Sequence, residues 1–302
     1  MKDQKYFDVI IVGGSYSGLA AGMALGRALR NVLIIDDGKP CNRQTPHSHN
    51  FVTQDGKTPV EISLLAREQV EKYETVNFLD GLAIRGAKTE SGFEIQTATG
   101  ETFSAKKLIF ATGLRDIMQK IDGYTECWGI SVLHCPYCHG YEVRNEATGI
   151  LGNGELGFEF SKLISNWTKD LTLFTNGEST LTREQMDKFK IHNIKLVEKK
   201  VQRLEHVRGW LEYIVFDDGT TSSVKALYAR SPFEQRCMIP CTMGCELSDE
   251  GFLKTDILQE TSVPGIFACG DNAMRLRTVA NAVAMGTTAG MMANREIIFE
   301  EF

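Results

Sequence analysis

The sequence predicts an α/β protein built from two Rossmann-like three-layer domains, the second inserted into the first. Three observations support this prediction. A buried strand runs into a glycine turn near the N-terminus, the same pattern returns near residue 150, and no low-complexity linker separates the halves. The length of 302 residues suits two domains. We expect residues 1–114 and 238–302 to form the first domain and residues 115–237 the inserted one.

The first nucleotide-binding unit opens with an apolar run at residues 7–14, which ends in glycines as a buried parallel strand does. A helix rich in small residues is predicted over 17–29 and a second strand over 32–35. The turn between strand and helix has a serine where GxGxxG has its middle glycine. Its candidate phosphate contacts are Gly13, Gly14, Ser15 and Gly18. Asp36 and Asp37 follow the second strand, where an acid accepts a ribose hydroxyl in such units.

A second copy of this pattern begins near residue 148, and here the GxGxxG sequence at residues 152–157 is complete. Its glycines are Gly152, Gly154 and Gly157. The following strand, residues 171–174, leads into Thr175-Asn176-Gly177. There is neither an acid for an adenosine 2′-hydroxyl nor an arginine pair for a 2′-phosphate at that point. The unit is therefore predicted, but its nucleotide stays open.

Two further strands, near residues 107–113 and 265–271, end in turns of small residues that can approach a cofactor. The candidate contacts in these turns are Ala111, Thr112, Gly113 and Gly270. Asp271 can accept hydrogen bonds from a sugar or polyol hydroxyl, or it can cap the next helix. That helix is predicted over 279–294, and its N-terminus at Thr278 and Val279 is expected to face a cofactor ring.

Two cysteines two residues apart, Cys135 and Cys138, are flanked by His134 and His139. Such a pair can close a small disulfide ring, and a neighbouring imidazole can lower a thiol pKa or move its proton. Between two nucleotide-binding units, the pair predicts electron transfer between a cofactor and a disulfide. Half of a zinc site and simple core packing are the alternatives. The two histidines have an alternative role as capping or packing residues.

Composition excludes several functional classes. The net charge of −6 is spread evenly, so we expect no nucleic-acid partner. No apolar run approaches the roughly 20 residues that span a bilayer, and the first ten residues do not resemble a secretory signal. Eight cysteines are too few for a disulfide-stapled scaffold, so we expect a cytoplasmic protein without a membrane partner.

The remaining cysteines are not expected to bind metal. Cys237, Cys241 and Cys245 recur every four residues, but Pro240 and Gly244 interrupt any continuous helix that would align them. We therefore expect no metal site. The other three are expected to be small core or near-cofactor residues: Cys41, Cys127 and Cys269.

The order of these motifs resembles that of the low-molecular-weight thioredoxin reductases over essentially the whole chain: two Rossmann turns, ATG at residues 111–113, GIFACGD at 265–271 and the intervening CxxC. The resemblance implies FAD on the first domain, with its pyrophosphate at the first glycine turn, and NADPH on the inserted one. It further implies that Asp36 bonds the adenosine ribose and Asp271 the ribityl chain. Cys138 would face the flavin, Cys135 would attack the substrate disulfide, and the protein would be a homodimer.

Two departures from the family pattern change the expectations. His139 stands where these reductases have a proton-donating acid, so it becomes the acid–base candidate. Thr175-Asn176-Gly177 stands where they have a His-Arg-Arg cluster. Residues 135–142, CPYCHGYE, are similar to a motif of the gliotoxin- and holomycin-type dithiol oxidases, which oxidise small dithiols and pass the electrons to dioxygen.

The polar loop at residues 42–50 is expected to lie near the flavin, if it follows the first strand–helix–strand unit as in the family. Its candidate cofactor contacts are Asn42, His49 and Asn50. For His47 and His49 the alternatives are that both are exposed loop histidines, or that they contact the flavin or transfer a proton.

Together these observations predict a FAD-dependent thiol–disulfide oxidoreductase that moves electrons between flavin and Cys135/Cys138. NAD(P)H is the expected donor, and a thioredoxin-like protein or a small disulfide is the expected acceptor. The first alternative is an oxygen-dependent oxidase of small-molecule dithiols. A more remote alternative is a zinc-stabilised nucleotide-binding protein.

Overall fold

The computed structural model describes residues 5–302, which fold into two compact units. The first unit comprises the segment ending at Arg43 together with Asn50–Arg115 and Phe233–Phe302. The second comprises Gln44–His49 and Asp116–Pro232. Two short segments thus group differently from the predicted boundaries: residues 44–49 pack with the second unit and residues 233–237 with the first.

The first unit is built on a sheet with strand order β3-β2-β1-β6-β5-β4. Strand β17 also belongs to this sheet and pairs with the last three residues of β6, Leu108–Phe110. Its strands are β1 (Tyr6–Val12), β2 (Val32–Asp36), β3 (Val76–Asp80), β4 (Ala83–Thr89), β5 (Gly92–Thr97), β6 (Thr102–Phe110) and β17 (Ile266–Ala268). Strands β1, β2, β3, β6 and β17 pair in parallel, whereas β4 and β5 add an antiparallel hairpin. Strands β2 and β17 and the C-terminal halves of β1 and β6 are buried apolar runs, as both faces of such a sheet are covered, whereas the edge strand β3 is only partly buried.

Helices of the first unit begin where the sequence provides a start signal. They are α1 (Tyr16–Arg27), α2 (Pro59–Glu71), α7 (Ile239–Thr242) and α8 (Val279–Glu301). Thr58 and Glu61 form a capping box at the start of α2. Helix α1 packs very closely on α8, because a Cβ added to Gly286 would lie 2.0 Å from the Ser17 carbonyl oxygen. The small residues of both helices therefore serve this close approach.

The second unit contains a parallel sheet with strand order β11-β10-β9-β15-β8. Its strands are β8 (Val132–Leu133), β9 (Thr148–Leu151), β10 (Leu171–Phe174), β11 (Lys195–Val197) and β15 (Ala226–Ala229). An antiparallel sheet is formed by β12 (Val201–Val207), β13 (Trp210–Phe216) and β14 (Thr221–Ser222). Its helices are α3 (Tyr124–Cys127), α4 (Pro136–His139), α5 (Gly154–Ile164) and α6 (Arg183–Ile191). Where the chain passes between units, β7 (Leu114–Asp116) pairs with β16 (Phe233–Gln235).

The fold confirms the α/β class with Rossmann-type units, and the differences from the predicted elements lie at their ends. The first helix stops at Arg27 because Leu29 adopts a left-handed conformation, with φ of 60°. Helix α8 runs on to Glu301, seven residues beyond the predicted residue 294. Within residues 5–302, no helix combines the length and apolarity needed to cross a membrane.

Candidate active site

The first glycine turn lies directly against the end of β6. Gly13 has φ of 104°, and a Cβ there would lie 2.3 Å from the carbonyl oxygen of Ala111. The backbone N–H of Gly14 donates to Oδ1 of Asp36 over 2.9 Å. The parallel order of β2, β1 and β6 thus brings the glycine turn, Asp36 and Ala111 to one sheet edge, as predicted from motifs far apart in the chain.

The N-terminus of α1 is suited to an anion. Ser15 is the N-cap residue, but its side chain makes no capping hydrogen bond, and the first turn contains no acid. The N–H groups of a first helical turn lack partners within the helix, and the helix dipole adds partial positive charge. This turn therefore fits the pyrophosphate of a dinucleotide such as FAD.

The two acids after β2 have different partners. Asp36 accepts the N–H of Gly14 and, through Oδ2, the N–H of Gly38 over 3.2 Å, so each oxygen retains a lone pair for a ribose hydroxyl. The carboxylate of Asp37 is instead bound by Arg236, whose Nη2 lies 2.8 and 3.0 Å from its two oxygens. Asp36 is therefore the better candidate for a cofactor contact.

The turn after β17 meets the turn after β6. Asn272 is buried, and its Nδ2 donates to the carbonyl oxygen of Phe110 over 2.8 Å and to Oγ1 of Thr112 over 3.3 Å. Its Oδ1 is buried with no hydrogen-bond partner among the described residues. We did not single out Asn272 from the sequence, where its only signal is its position directly after Asp271.

The alternative role of Asp271 as a helix cap is wrong. Thr278 caps α8, because its side chain accepts the N–H of Asn281 over 3.2 Å. Asp271 accepts the Nε–H of Arg277 over 3.2 Å, and its side chain is 18% exposed. Arg277 therefore holds this carboxylate at the turn where a ribityl contact is predicted.

Of the three predicted contacts in the loop at residues 42–50, two lie in the first unit and His49 in the second. Asn42 donates through Nδ2 to the Tyr16 hydroxyl over 3.2 Å, at the start of α1. Asn50 has φ of 59° and donates its N–H to Asp55 over 2.7 Å. The chain within this loop therefore leaves the first unit and returns to it.

The second glycine turn has the expected strand–turn–helix geometry. It lies between β9 and α5, and a Cβ on Gly157 would be 3.1 Å from the carbonyl carbon of Gly152. The glycines at these two positions therefore permit the close approach of helix and strand. Gly154 adopts a φ of 54° at the first position of the helix.

The N-terminus of α5 is already occupied by the chain's own groups, in contrast to α1. Oδ1 of Asn153 accepts the N–H groups of Gly154 and Thr180 over 2.8 and 2.9 Å. Its Nδ2 donates to the carbonyl oxygen of Glu178 over 2.8 Å. Glu155 places a carboxylate in the first turn, where it accepts a bond from Gln185 over 2.6 Å. This turn therefore fits a pyrophosphate less well than the first one.

Cys135 and Cys138 form a disulfide at the start of α4, with an S–S distance of 2.10 Å. Cys135 is the N-cap residue, and its sulfur accepts the N–H of Cys138 over 3.2 Å. Tyr137, between them, is 63% exposed and packs edge-on against Trp167. The helical turn thus holds both sulfurs within bonding distance, as the CxxC spacing predicts.

His139 directly follows the disulfide and is partly buried. Burial, followed by the charge at His49, lowers the pKa of His139 to about 4. The ring is therefore neutral at pH 7 in the oxidised protein. The neutral ring can accept a proton on its unprotonated nitrogen. The only ring N–H that it carries is the one of a neutral imidazole.

His134 and His49 have different surroundings. The His134 ring stacks on Trp128, with centroids 5.6 Å apart and planes inclined by 18°. This contact supports the packing role that the sequence left open. Nε2 of His49 lies 3.6 Å from Oε1 of Glu142. We did not single out Glu142 from the sequence, although it ends the CPYCHGYE motif.

The remaining cysteines take no part in the redox disulfide. Cys237, Cys241 and Cys245 pack in the core of the first unit, and burial raises the pKa of each. Within residues 5–302, no three His, Cys, Asp or Glu side chains are grouped as a metal ion would require. Burial also raises the pKa of Cys269 to about 12, whereas Cys41 is exposed rather than in the core.

Known proteins match this chain along its whole length. The family model for pyridine nucleotide-disulphide oxidoreductases matches residues 7–286. The thioredoxin reductase tcpT of Claviceps purpurea is 32% identical over 309 residues, covering 99% of this chain and 96% of that protein. The thioredoxin reductase aclD of Aspergillus oryzae is 32% identical over 307 residues, covering 98% of each. A crystal structure of an oxidoreductase from Agrobacterium tumefaciens superimposes with a TM-score of 0.91 at 34% identity, covering 97% of this chain and 99% of that one.

Proposed function

Because the chain belongs to the pyridine nucleotide-disulphide oxidoreductase family, we propose that it moves electrons between FAD and a redox disulfide formed by Cys135 and Cys138. Its relatives confirm the resemblance to thioredoxin reductases, and the chain is a thioredoxin reductase-like flavoprotein. The observation that carries the proposal is this disulfide, which lies in the unit of the second glycine turn.

The residues of the first unit are suited to hold FAD in a fixed orientation. The uncapped N-terminus of α1 would bind the pyrophosphate, and Asp36 would accept the adenosine ribose hydroxyls. Asp271, held by Arg277, and the unpartnered Oδ1 of buried Asn272 would provide acceptors near the turn after β17. When bound, FAD supplies the two-electron chemistry that the side chains cannot perform.

Thiol–disulfide exchange is the step that the chain's own residues carry out. In the direction that oxidises a substrate thiol, the substrate sulfur loses its proton and attacks the sulfur of Cys135, the Cys135–Cys138 bond breaks, and Cys138 leaves as a thiolate. Reduction of a substrate disulfide, the proposed direction with NAD(P)H as donor, is the reverse of these steps. The neutral ring of His139 takes the proton of the attacking thiol. The new thiolate beside it then favours the protonated ring, since opposite charges within a few ångströms stabilise each other. His139 is therefore the proposed base. In the reverse reaction, it returns the proton to the substrate sulfur.

We propose NAD(P)H as the electron donor and a thioredoxin-like protein or a small disulfide as the acceptor. A homodimer in the cytoplasm completes the proposal. Six of the eight cysteines form no disulfide in the part of the chain that the structure describes, which is common for proteins of a reducing compartment.

Anaerobic titration of the FAD-loaded protein with NADH, and then with NADPH, tests the donor. Rapid loss of the oxidised flavin absorbance is expected with one of the two. Flavin that stays oxidised with both would remove NAD(P)H from the proposal. Turnover with candidate disulfides then identifies the acceptor.

A second candidate function is the oxygen-dependent oxidation of small dithiols, and the α5 N-terminus favours it. Asn153 already accepts the N–H groups of Gly154 and Thr180, and Glu155 adds a carboxylate to the first turn, so this turn is less suited to a nucleotide pyrophosphate. An oxidase would consume oxygen with a dithiol and no nicotinamide, and Asn153→Gly would leave that rate unchanged. A protein that consumes oxygen with dithiols only when NAD(P)H is present would contradict this candidate.

A further inference from the structure

The segment Gln44–His49 is held on the second unit, although it interrupts the sequence of the first. A Cβ on Gly129 would lie 3.1 Å from Oγ1 of Thr45 and 3.3 Å from Nε2 of Gln44, so the segment packs directly on that glycine. Ser48 is buried, with 6% of its surface exposed. The segment is therefore anchored before it reaches His49.

His49 and Glu142 meet in the unit that carries the disulfide. Their side chains are 20% and 40% exposed, and Nε2 of His49 lies 3.6 Å from Oε1 of Glu142. Glu142 is three residues after His139 in the turn that follows α4. A carboxylate at this distance pairs with the imidazole when the ring is protonated. Glu142 thus lies on the same stretch of chain as the proposed base, and His49 reaches Glu142 from the segment Gln44–His49.

His47, Tyr228 and His139 are further ionisable groups that interact with one member of the pair. The ring centroid of His47 lies 6.4 Å from that of His49. Burial, followed by the charge of Glu142, raises the pKa of Tyr228, so its phenol stays protonated and uncharged. The guanidinium of Arg144 lies over the Tyr141 ring at 3.9 Å and donates to the Tyr141 carbonyl oxygen. The charge that His49 carries when its ring is protonated is the second cause of the lowered pKa of His139, after burial.

Dithiol–disulfide exchange requires two groups that can accept and release a proton. When a substrate dithiol is oxidised, one S–S bond forms in the substrate and the Cys135–Cys138 bond breaks. Two electrons pass to the protein sulfurs, and the two substrate thiols give up two protons. One imidazole can take one of them, so the other needs a second acceptor. In the opposite direction both protons return to the product thiols.

We propose that His49 and Glu142 form a proton-holding pair, which takes the second proton of each exchange at Cys135 and Cys138 while His139 takes the first. This inference rests on the proposed thiol–disulfide chemistry. His49 and Glu142 act through His139 and the two sulfurs, so they are positioning residues. A protonated His49, stabilised by Glu142, also favours a thiolate in the reduced protein, since a nearby cation lowers a thiol pKa.

The test measures thiol reactivity rather than turnover. The FAD-loaded protein is reduced under argon, and alkylation of Cys135 and Cys138 by iodoacetamide is followed by mass spectrometry across a pH series. His49→Gln is expected to slow alkylation at pH 7 about tenfold, which corresponds to one unit in the thiol pKa. Glu142→Gln is expected to act in the same direction. The double variant should be no slower than His49→Gln alone, because Glu142 acts through His49.

His192→Gln is the matched control, since it removes an exposed imidazole from the end of α6 in the same unit. Its alkylation profile should overlay that of the wild type. Profiles of His49→Gln and Glu142→Gln that also overlay the wild type would overturn the inference, and so would effects that simply add in the double variant. Circular dichroism verifies folding. If His49→Gln does not fold, the isosteric Glu142→Gln alone decides.

Failure of the proposed function gives a different result. Alkylation of the cysteines requires neither NAD(P)H nor turnover. If the variants shift the pH profile of alkylation but NAD(P)H does not reduce the flavin, only the proposed donor is removed. A normal titration together with unshifted profiles removes only the proton-holding pair.

Discussion

At the scale of the residue, His139 shows how burial changes the chemistry of a side chain. Its position directly after the second cysteine makes it the acid–base candidate. Burial beside His49 lowers the pKa of His139 to about 4, so the oxidised protein presents a neutral base. The residue type was visible in the sequence, but its protonation state was not, because it depends on solvent access and on a histidine distant in the chain.

His139 should make the oxidised protein less stable in acid. The folded protein resists protonation of this ring between pH 6.5 and about 4, whereas the unfolded chain takes up the proton, so stability falls as the pH falls through this window. Between pH 7 and about 4.5 the loss from this group amounts to about 2 kcal/mol. His139→Gln should lose correspondingly less stability over that range in urea unfolding. Equal losses in wild type and variant would contradict the lowered pKa.

Cys138 should be required for exchange but not for flavin binding. Cys138→Ser is expected to retain the flavin spectrum and to lose dithiol oxidation by at least about a hundredfold, because no disulfide can form. Cys241→Ser, in the core of the first unit, should retain both. Dithiol turnover at the wild-type rate in Cys138→Ser would refute the proposed redox role.

At the scale of the element, the two helix N-termini at the glycine turns have similar sequences but different environments. Helix α1 begins without a side-chain cap or an acid, whereas α5 begins with Asn153 as its cap and with Glu155. The GxGxxG pattern is complete only in the second turn, yet the first fits a pyrophosphate better. The pattern specifies the path of the backbone, while the anion site depends on the side chains that surround the N–H groups.

The contact between α1 and α8 should not tolerate an added methyl group. A Cβ on Gly286 would lie 2.0 Å from the Ser17 carbonyl oxygen, so Gly286→Ala must separate the helices and should cost about 2 to 4 kcal/mol in the free energy of unfolding. Thr287→Ala, at an exposed position of α8, should change it by less than about 0.5 kcal/mol. Thermal and urea unfolding measure both. Equal stability of the two variants would contradict the close packing.

At the scale of the whole molecule, FAD binding should contribute a large part of the free energy of unfolding of the first unit. A ligand that binds only the folded state stabilises it by about 2.7 kcal/mol at a concentration one hundred times its dissociation constant. Removal of FAD should therefore lower the melting temperature, and added FAD should restore it. NADPH alone should produce a smaller shift, because Asn153 and Glu155 occupy the second turn. Thermal scans of the apoprotein with each nucleotide provide the comparison, and identical shifts would contradict it.

The sequence by itself determined the α/β class, the two nucleotide-binding units and the redox pair, because each is specified by local patterns. An apolar run followed by glycines predicts a strand and turn, and two intervening residues place Cys135 and Cys138 within reach of each other. Only the tertiary structure decided which groups surround them. It packed the segment Gln44–His49 on the second unit, paired His49 with Glu142 and buried His139. The physical reason is that charge pairing and burial depend on segments far apart in the chain, whereas strands, turns and CxxC spacing depend on neighbouring residues.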